Sequence, residues 1–503
     1  MPVALTFPVA HRLLSRLPSP AVERSDDFSR RWSLRVLAFL VPLVAAGAQS
    51  PPRYDVLVRG GRVLDGTGNP WYYADVAITG DRIVALGNLA GATARRVVDA
   101  RGLYVAPGFI DPHSHSGPGL ATRELSGGVP LLLQGVTTVV VNPDGGGPVD
   151  LRAQRRQLSA ARPGVNVALL VPHGSVRGRV LGMEDRAPTA SELARMEALV
   201  DSGMTAGAFG LSSGPFYAPG SFAKTDELIA LARVAAARGG VYTSHIRDES
   251  DYTIGVAAAV DEVIRIASEA RLPGIVTHIK ALGPHVWGMA PRLIARIDSA
   301  RAQGVEVFAD QYPYDASSTS LSAALVPRWA IAGGDSAFRR RLADPTDHAR
   351  IEREMRDNLE RRGGASRIQF ARYGPDSSIE GRTLQQVADA RREDPVIAAL
   401  ALLTRAQAGI VSFNMDSADV AAFMRQRWTM TSSDGDLVPM GRGVPHPRAY
   451  GTFPRKLRKY ALDERVVELA DAIRSMTTLP ATVMRMEGRG QLRPGSYADV
   501  VVF

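Results

Sequence analysis

The chain has 503 residues, a formal net charge of +9 and no cysteine. A chain of this length can bury a large core and form more than one domain. Because cysteine is absent, disulfides and thiolate metal sites are excluded, and any metal must be bound by His, Asp, Glu or a modified Lys. The basic balance raises the question of nucleic-acid binding, but the arginines are scattered and form no stripe interleaved with aromatic residues. We therefore expect no nucleic-acid partner.

Residues 1–48 have the organisation of an export signal with an extension in front of it. The basic segment S-R-R-W-S-L-R at 29–35 precedes an apolar run at Val36–Val44 and the small residues Ala46-Gly47-Ala48. This order is typical of a secretory signal peptide, and the apolar core is too short for an ordinary membrane span; a buried core helix is the alternative. The paired arginines resemble the signal of proteins exported already folded. We expect a mature protein from Gln49 onward, periplasmic or secreted, without an integral membrane span.

Residues 49–106 consist of short strand-like runs separated by glycine-rich turns. The strand candidates are Asp55–Val58, Val76–Thr79, Arg82–Leu86, Arg96–Asp99 and Leu103–Val105. The run Gly495–Phe503 is of the same kind. We therefore predict a small β-sandwich domain built from both chain ends, residues 49–106 and 476–503. The sequence stops inside the last strand, which leaves open a truncated second part.

From residue 107 to about 475, apolar strand-like runs alternate with amphipathic helical segments. The strand candidates are Gly108–Asp111, Thr137–Val141, Asn166–Val171, Ala208–Leu211, Val241–His245, Ile275–His278, Val305–Asp310 and Trp428–Ser432. Apolar strands that alternate with helices predict a parallel sheet, and eight such units predict an α/β fold of the TIM-like (β/α)8 barrel type. Residues 326–410, rich in Arg and Glu, interrupt the alternation and are predicted to form a helical insertion.

Polar residues follow the carboxyl ends of these strands. They are His113, His115, Asp144, His173, His245, His278 and Asp434. The side chains of His113 and His115, two residues apart, project from the same face of an extended strand. Each residue alone has an ordinary explanation, such as a helix cap or a core histidine. Their recurrence at successive strand ends, where barrel enzymes have their active sites, predicts a metal site.

The motifs around these residues resemble those of the amidohydrolase superfamily, and specifically the N-acyl-D-amino-acid deacylases (D-aminoacylases), over about residues 54–503. The motifs are G-F-I-D-P-H-S-H (108–115), G-V-T-T-V-V-V (135–141), G-L-S-S-G-P-F-Y-A-P-G (210–220), T-S-H-I-R-D-E (243–249), T-H-I-K (277–280), Y-P-Y-D-A-S-S-T (312–319), S-S-D-G (432–435) and H-P-R-A-Y-G-T-F-P-R (446–455). The resemblance implies a metal-dependent barrel hydrolase that cleaves the amide bond of N-acyl-D-amino acids and releases a free D-amino acid.

The resemblance also implies roles for single residues. His245 and His278 hold a tightly bound zinc, and His113, His115 and Asp434 surround a second, weaker position. Asp434 is the general base, which later protonates the leaving amine. The residues implied in substrate binding are His173, Tyr217, Lys280, Tyr314, Ser318 and Arg448. An arginine suits this task because its guanidinium can bind a carboxylate with two parallel hydrogen bonds.

One position departs from the family pattern. Members commonly have a cysteine ligand in G-N-C-G after the V-V-V strand, where this chain has N-P-D-G at 142–145. Asp144 is therefore expected to replace the cysteine as a ligand. A carboxylate is a harder ligand than a thiolate and can bridge two ions. We expect one or two zinc ions per chain, with manganese or cobalt as open alternatives.

Two alternative functions stay open. A dipeptidase or a cyclic amidase of the dihydroorotase or hydantoinase type could use the same barrel. Cyclic amidases of that type bridge their metals with a carboxylated lysine at a middle strand's end, and no lysine occurs here between His115 and Lys224. The non-enzyme alternative is an exported binding protein that has lost activity, against which the retained motifs argue. The substrate's side chain and acyl group, and the oligomeric state, are left open.

Overall fold

The structure, a computed structural model, describes residues 3–5 and 53–503. The predicted signal peptide lies outside the described residues. The strands are β1 (Val3–Leu5), β2 (Arg53–Val63), β3 (Tyr72–Thr79), β4 (Arg82–Gly87), β5 (Thr93–Asp99), β6 (Tyr104–Pro107), β7 (Phe109–Asp111), β8 (Val136–Val141), β9 (Asn166–Leu169), β10 (Val171–Pro172), β11 (Gly210–Ser213), β12 (Val241–Ser244), β13 (Gly274–Val276), β14 (Val307–Gln311), β15 (Ser317–Ser320), β16 (Ile368–Arg372), β17 (Gly409–Ser412), β18 (Thr429–Thr431) and β19 (Val500–Val502).

The helices are α1 (Gly117–Leu120), α2 (Val129–Leu132), α3 (Leu151–Ala161), α4 (His173–Leu181), α5 (Ala190–Thr205), α6 (Thr225–Ala237), α7 (Val256–Ala270), α8 (Ala290–Ala302), α9 (Leu321–Leu325), α10 (Arg328–Ile331), α11 (Gly334–Ala343), α12 (Pro345–Arg361), α13 (Leu384–Arg391), α14 (Pro395–Leu403), α15 (Ser417–Met424), α16 (Arg448–Arg455), α17 (Leu469–Met476) and α18 (Thr478–Val483). A π-helical segment, Lys456–Asp463, continues α16. Within the described ranges, no helix combines the length and the apolar character that crossing a membrane requires.

Eight parallel strands form the central barrel: β7, β8, the pair β9 and β10, β11, β12, β13, β14 and β18. β9 and β10 are two halves of one strand, interrupted at Leu170, whose N–H still donates to Val141 O on β8 (3.1 Å). The barrel closes where β18 meets β7. There Ser433 N–H donates to Asp111 Oδ1 (2.9 Å) and Asp434 N–H to His113 O (2.9 Å). The predicted barrel is confirmed, and each strand candidate overlaps one barrel strand.

The β domain is a sheet in the order β1-β19-β6-β2-β3-β4, with β5 added to β2. The long strand β2 pairs with β5 along its first half and with β6 at its end. The change of partner occurs around Gly60, whose φ of +73° is a conformation that favours glycine. β19 lies antiparallel to β6, so residues from both chain ends form one sheet, as the fold-class prediction required.

The segment that precedes β19 differs from the prediction. Residues 476–486 form α18 and a short tail that pack against the amino end of the barrel. Their apolar side chains are buried with strand residues such as Ile110 and Val140; they are Leu479, Ala481, Val483, Met484 and Met486. The β part of this segment begins only near Gly488, which accepts a hydrogen bond from Tyr497. The predicted boundary at residue 476 is therefore one helix too early.

The insertion between β14 and β18 also contains more than helices. It holds α9–α14 and a three-stranded antiparallel sheet in the order β15-β17-β16, around a core that includes Leu321, Phe370 and Ile410. The prediction of a helical insertion over 326–410 therefore omitted the sheet. The reason is that S-S-T-S in β15 has no apolar alternation and β17 is only four residues long, so neither gives a clear strand pattern.

Candidate metal centre

The predicted ligands converge at the carboxyl end of the barrel in two groups that share one residue. The first group is formed by His113, His115, Asp144 and Asp434, and the second by Asp144, His245 and His278. In each group, one ligand atom per residue lies within 4.8 Å of all the others. All the predicted metal ligands are therefore brought together, and Asp144 belongs to both groups.

In the first group the two histidines face two carboxylates. His113 Nε2 is 3.3 Å from Asp144 Oδ1 and 3.4 Å from Asp434 Oδ1. His115 Nε2 is 3.2 Å from Asp144 Oδ2 and 3.2 Å from Asp434 Oδ1. Each carboxylate thus lies between the same two imidazoles, an arrangement in which one cation can contact all four side chains.

In the second group, His245 Nδ1 and His278 Nε2 are 2.9 Å apart. Asp144 Oδ1 is 4.0 Å from the first nitrogen and 3.7 Å from the second. Because the other oxygen of Asp144 points to His115, its carboxylate extends across both groups. It occupies the position where the family resemblance placed a cysteine.

The backbone at these ligands adopts an uncommon conformation. Asp144, His278 and Asp434 have φ values of 55°, 36° and 49°, in the left-handed region that non-glycine residues rarely enter. Local hydrogen bonds hold two of them, since His278 N–H donates to Asp310 Oδ1 (2.8 Å) and Asp434 N–H to His113 O. This conformation turns each side chain from its strand end towards the barrel axis.

The chemistry of this cluster fits a bound cation. His113 Nε2 and Asp144 Oδ1 are buried and have no hydrogen-bond partner among the described residues. Burial opposes the ionisation of Asp144, but His113 outweighs it and holds the pKa of the carboxyl well below its usual range. Buried, ionised carboxylates beside imidazole nitrogens form a donor set that binds zinc-like ions.

A buried acid that the sequence did not single out contacts the predicted ligand His278. Glu249 Oε1 lies 3.1 Å from His278 Nδ1, on the side of the ring that faces away from Asp144. Lys280 Nζ is 2.7 Å from the same ring nitrogen and forms an ion pair with Glu249. Lys280, predicted to bind substrate, is therefore engaged with Glu249 although it lines the cavity. A charged residue four positions after His245 in the motif T-S-H-I-R-D-E was the available signal for Glu249.

Arg448 contacts the other oxygen of Asp434. Its Nη1 is 2.7 Å from Asp434 Oδ2, and its guanidinium lies 4.8 Å from the centre of the Tyr312 ring. Burial opposes ionisation of Asp434, but Arg448 and His278 outweigh it and hold its pKa well below the usual range. Asp434 therefore carries its negative charge near neutral pH and can accept a proton.

His446 fixes the loop in front of Arg448 and was not predicted. Its Nδ1 accepts a hydrogen bond from Arg448 N–H (3.0 Å), so its Nε2 is the atom that donates to Ala316 O (3.0 Å). Burial, with Arg448 nearby, lowers the pKa of His446 to about 3, which keeps the imidazole neutral. The signal for it was its position two residues before Arg448 in the last motif.

Four of the six predicted substrate-binding residues line the cavity beside the metal groups: Lys280 and Arg448, described above, and Tyr217 and Ser318. The Tyr217 ring lies 4.6 Å from the His245 ring, and its hydroxyl is 3.2 Å from Thr319 Oγ1. Ser318 also lines the cavity, but its hydroxyl donates to Ile410 O (2.9 Å).

The other two are placed differently from the prediction. Tyr314 is not among the lining residues, since its hydroxyl donates to Pro447 O (3.3 Å), and Tyr312 lines the wall instead. His173 is fully buried and does not line the cavity. It starts α4, and its Nε2 is 2.9 Å from Glu227 Oε1, which turns the ring away from the metal groups.

The cavity above the metal groups has a volume of about 1560 Å³. Barrel loops and the insertion both contribute to its wall, from Tyr217 on one side to Arg372 and Gln407 on the other. A cavity of this size accommodates a small molecule together with water.

Comparison with known proteins agrees with this geometry. The amidohydrolase family model matches residues 96–503. An N-acyl-D-glutamate deacylase and a D-aminoacylase of Alcaligenes xylosoxydans xylosoxydans are 37% and 34% identical over 473 residues, which is 90% of this chain and 87% and 88% of the relatives. Among solved structures, the N-acyl-D-glutamate deacylase from Bordetella bronchiseptica, complexed with zinc and a phosphonate that mimics the tetrahedral intermediate, matches with a TM-score of 0.78 at 36% identity, covering 90% of each chain.

The family model extends over the barrel and the insertion, and the matches cover 87% of the first relative and 90% of the solved structure. The chain therefore belongs to the amidohydrolase family, and within it to the D-aminoacylases.

Proposed function

We propose that this amidohydrolase cleaves the amide bond of N-acyl-D-amino acids and releases a carboxylate and a free D-amino acid. One observation carries the proposal: Asp434 presents Oδ1 to the imidazoles of the first ligand group and Oδ2 to Arg448. A proton acceptor thus lies between a metal site and a buried cation. The deacylase activities of the relatives support the same reaction.

The metal ligands, Asp434 and Arg448 are proposed to have different roles in the reaction. A divalent cation at the ligand groups supplies Lewis acidity towards an amide carbonyl and acidifies water near neutral pH. Asp434 accepts a proton at Oδ1 and returns it to the leaving amine, acting in turn as base and acid. Arg448 holds Asp434 ionised; its Nη2 has only a long contact, 3.5 Å, with Ser318 O, and so keeps donor capacity for the substrate carboxylate.

The metal is proposed to be zinc, with one or two ions per chain. The donor set of imidazoles and carboxylates suits zinc, and the carboxylate of Asp144 in both groups suits a second ion. The replacement of a thiolate by a carboxylate also suits manganese or cobalt, which metal analysis separates from zinc.

The test combines elemental analysis of the purified protein with hydrolysis of paired N-acetyl-D- and N-acetyl-L-amino acids. One or two equivalents of zinc and release of only the D-amino acids support the proposal; the L-enantiomers are the matched control. If the protein binds metal but hydrolyses only dipeptides or only hydantoins, the dipeptidase or the cyclic amidase alternative is correct and the proposed function is wrong. A protein that binds no metal would contradict the mechanism.

We also infer that the protein is exported to the periplasm or secreted. The support is the order of a basic segment, an apolar core and small residues over 29–48. The amino-terminal sequence of protein recovered from each cell fraction tests this inference. A mature amino terminus near Gln49 in an exported fraction supports it, and an uncleaved chain confined to the cytoplasm contradicts it.

A further inference from the structure

Two arginines beside the cavity have no acidic partner. Arg362, the residue after α12, is 1% exposed and lines the cavity. Its Nη1 donates to Ser412 Oγ (3.2 Å), and its Nε has no hydrogen-bond partner. Arg328, the first residue of α10, donates to Val326 O and Ala323 O. In the part of the chain that the structure describes, no carboxylate forms an ion pair with either guanidinium.

Asp248, an acid whose charge acts on Arg328, already has hydrogen-bond donors on both carboxylate oxygens. Its Oδ1 accepts from Ser250 N–H (2.9 Å), and its Oδ2 accepts from Thr253 N–H (2.6 Å) and Gly255 N–H (3.0 Å). Burial lowers the pKa of Arg328 to about 10, as expected for a cation with incomplete compensation. A buried charge without a partner destabilises the folded protein, so we expect these two guanidinium groups to be paired with an anionic ligand.

Further unpartnered polar atoms lie in the same region. The hydroxyl of Tyr252 is buried without a hydrogen bond, and the guanidinium of Arg362 lies 5.9 Å from the centre of the Tyr252 ring. Asn414 Nδ2 is also unpartnered, while Asn414 Oδ1 accepts from Ser317, which lines the cavity. Buried donors without acceptors are rare in native structures, and here several occur together.

One aromatic ring separates this region from the metal groups. The Phe216 ring is 5.1 Å from the ring of the ligand His245 and 5.7 Å from the Tyr252 ring, and Arg328 lies 4.2 Å from its centre. Arg362, Phe216 and the metal groups line one cavity, so a molecule with its amide at the metal groups has access to Arg362 through that cavity. The α-carboxylate has its own cation, Arg448, at another part of the wall.

We propose that Arg362, with Arg328 and Tyr252, binds a second carboxylate of the substrate, so that the enzyme prefers dianionic N-acyl-D-amino acids. This inference rests on the proposed function and names its substrate class. The second carboxylate belongs either to an acidic D-side chain or to a dicarboxylic acyl group. Since Arg362 and Arg328 come from the insertion and Phe216 and Tyr252 from barrel loops, the insertion contributes to specificity as well as to the wall.

The experiment compares kcat/KM for matched substrates on the metal-loaded enzyme. N-Acetyl-D-glutamate against N-acetyl-D-glutamine tests a side-chain carboxylate without changing shape, and N-succinyl-D-leucine against N-acetyl-D-leucine tests an acyl carboxylate. Because contacts to a buried charge are strong, we expect one of the dianions to be preferred by roughly 30-fold or more. Which pair shows the preference identifies the source of the carboxylate.

Arg362→Met keeps much of the side-chain volume and removes the charge. It should abolish the preference while changing turnover of N-acetyl-D-leucine by less than about threefold, because Arg362 does not contact the metal groups. The matched control is Arg356→Met on the same helix, whose side chain is paired with Glu352 and Asp394 at the surface and should leave the preference unchanged. If Arg362→Met fails to fold, Tyr252→Phe is tested in its place, and its preference for the dianionic substrate should be reduced by roughly tenfold.

Equal turnover of both members of each pair by the unaltered enzyme would overturn the inference and leave the proposed function intact. An equal loss on all substrates in Arg362→Met would also overturn it, since that result indicates a structural role. If no N-acyl-D-amino acid is hydrolysed at all, it is the proposed function that fails.

Discussion

The two ends of the barrel are built from the same eight strands but have opposite chemistry. At the carboxyl end, buried histidines and carboxylates face one another across a cavity. At the amino end, Leu479, Met484 and Met486 close the barrel with apolar contacts to residues such as Val140 and Met430. The side chains that close the amino end are apolar, whereas the predicted ligands at the carboxyl end are all histidines and aspartates.

This difference separates stability from activity within one domain. A change at the amino end removes packing and leaves the ligand atoms in place. A change at the carboxyl end removes a ligand, a base or a partner of either, while the apolar core stays intact. The following substitutions test how complete this separation is.

The largest effect is expected for Asp434→Asn. Asparagine keeps the shape of the side chain but cannot accept the proton, so kcat/KM should fall by about 10²- to 10⁴-fold. The melting temperature should fall moderately, because Asp434 is the anionic partner of the buried Arg448, although the apolar core is untouched. The metal content, measured on the same sample, shows whether the ligand group still binds an ion. Full activity in this variant would show that another group is the base.

At the amino end, Met484→Ala should cost about 2–5 kcal/mol of unfolding free energy, because the side chain is fully buried in the cluster that closes the barrel. Urea unfolding provides the measurement. Metal content and kcat at low denaturant should be retained. The matched control is Met440→Ala, the same chemical change at a side chain that is 83% exposed. Loss of metal in Met484→Ala would mean that the two ends are coupled.

Glu249→Gln should reduce metal affinity by about 10- to 100-fold, because the carboxylate supports His278 from the side opposite to the ligand atom. Competition with a chelator measures the affinity directly. Glu269→Gln, which changes a surface glutamate paired with Arg265, is the control. If the metal affinity of Glu249→Gln is unchanged, Glu249 only balances the charge of Lys280 and does not support His278.

The last prediction concerns a buried cation beside Thr431, the final residue of β18. Lys456 Nζ donates to Thr431 Oγ1 (2.7 Å) and Ser475 Oγ (2.8 Å), and burial lowers its pKa from 10.5 to about 7. Between pH 7 and pH 10.5, Lys456 is protonated in the unfolded chain but neutral in the folded chain. The unfolding free energy therefore rises with pH over this range, by about 1.4 kcal/mol per pH unit from this group.

Lys456→Met removes this dependence. The variant should gain most over the unaltered protein near pH 7, and the gain should shrink as the pH approaches 10. Thr431 and Ser475 are also hydrogen-bonded to each other (2.9 Å), so both hydroxyls are expected to keep a partner in the variant. Urea unfolding at pH 8, 9 and 10 measures the difference; a difference that is constant with pH would show that Lys456 is charged in the folded protein.

Much of the fold could be predicted because the barrel strands are apolar runs of fairly regular spacing. The convergence of the predicted ligands could be foreseen because they follow those strands, and that of Asp144 because its position matched a ligand position of the family pattern. Sequence patterns give the position of a residue along a strand but not the direction of its side chain after the strand ends. That is why His173 and Tyr314 were assigned to the cavity, while Glu249, His446 and Tyr312 were not singled out.

The contacts that close the barrel have a consequence for folding. Asp111 and Ser433, which meet where the first and last strands join, are 322 positions apart in the chain. The first ligand group joins the same two regions, since His113 and His115 come from the first and Asp434 from the last. A cation bound there acts as a cross-link that closes a very long loop, which lowers the entropy of partly opened chains much as a disulfide does. In a protein without cysteine, a bound metal ion would thus provide the long-range cross-link that a disulfide provides elsewhere.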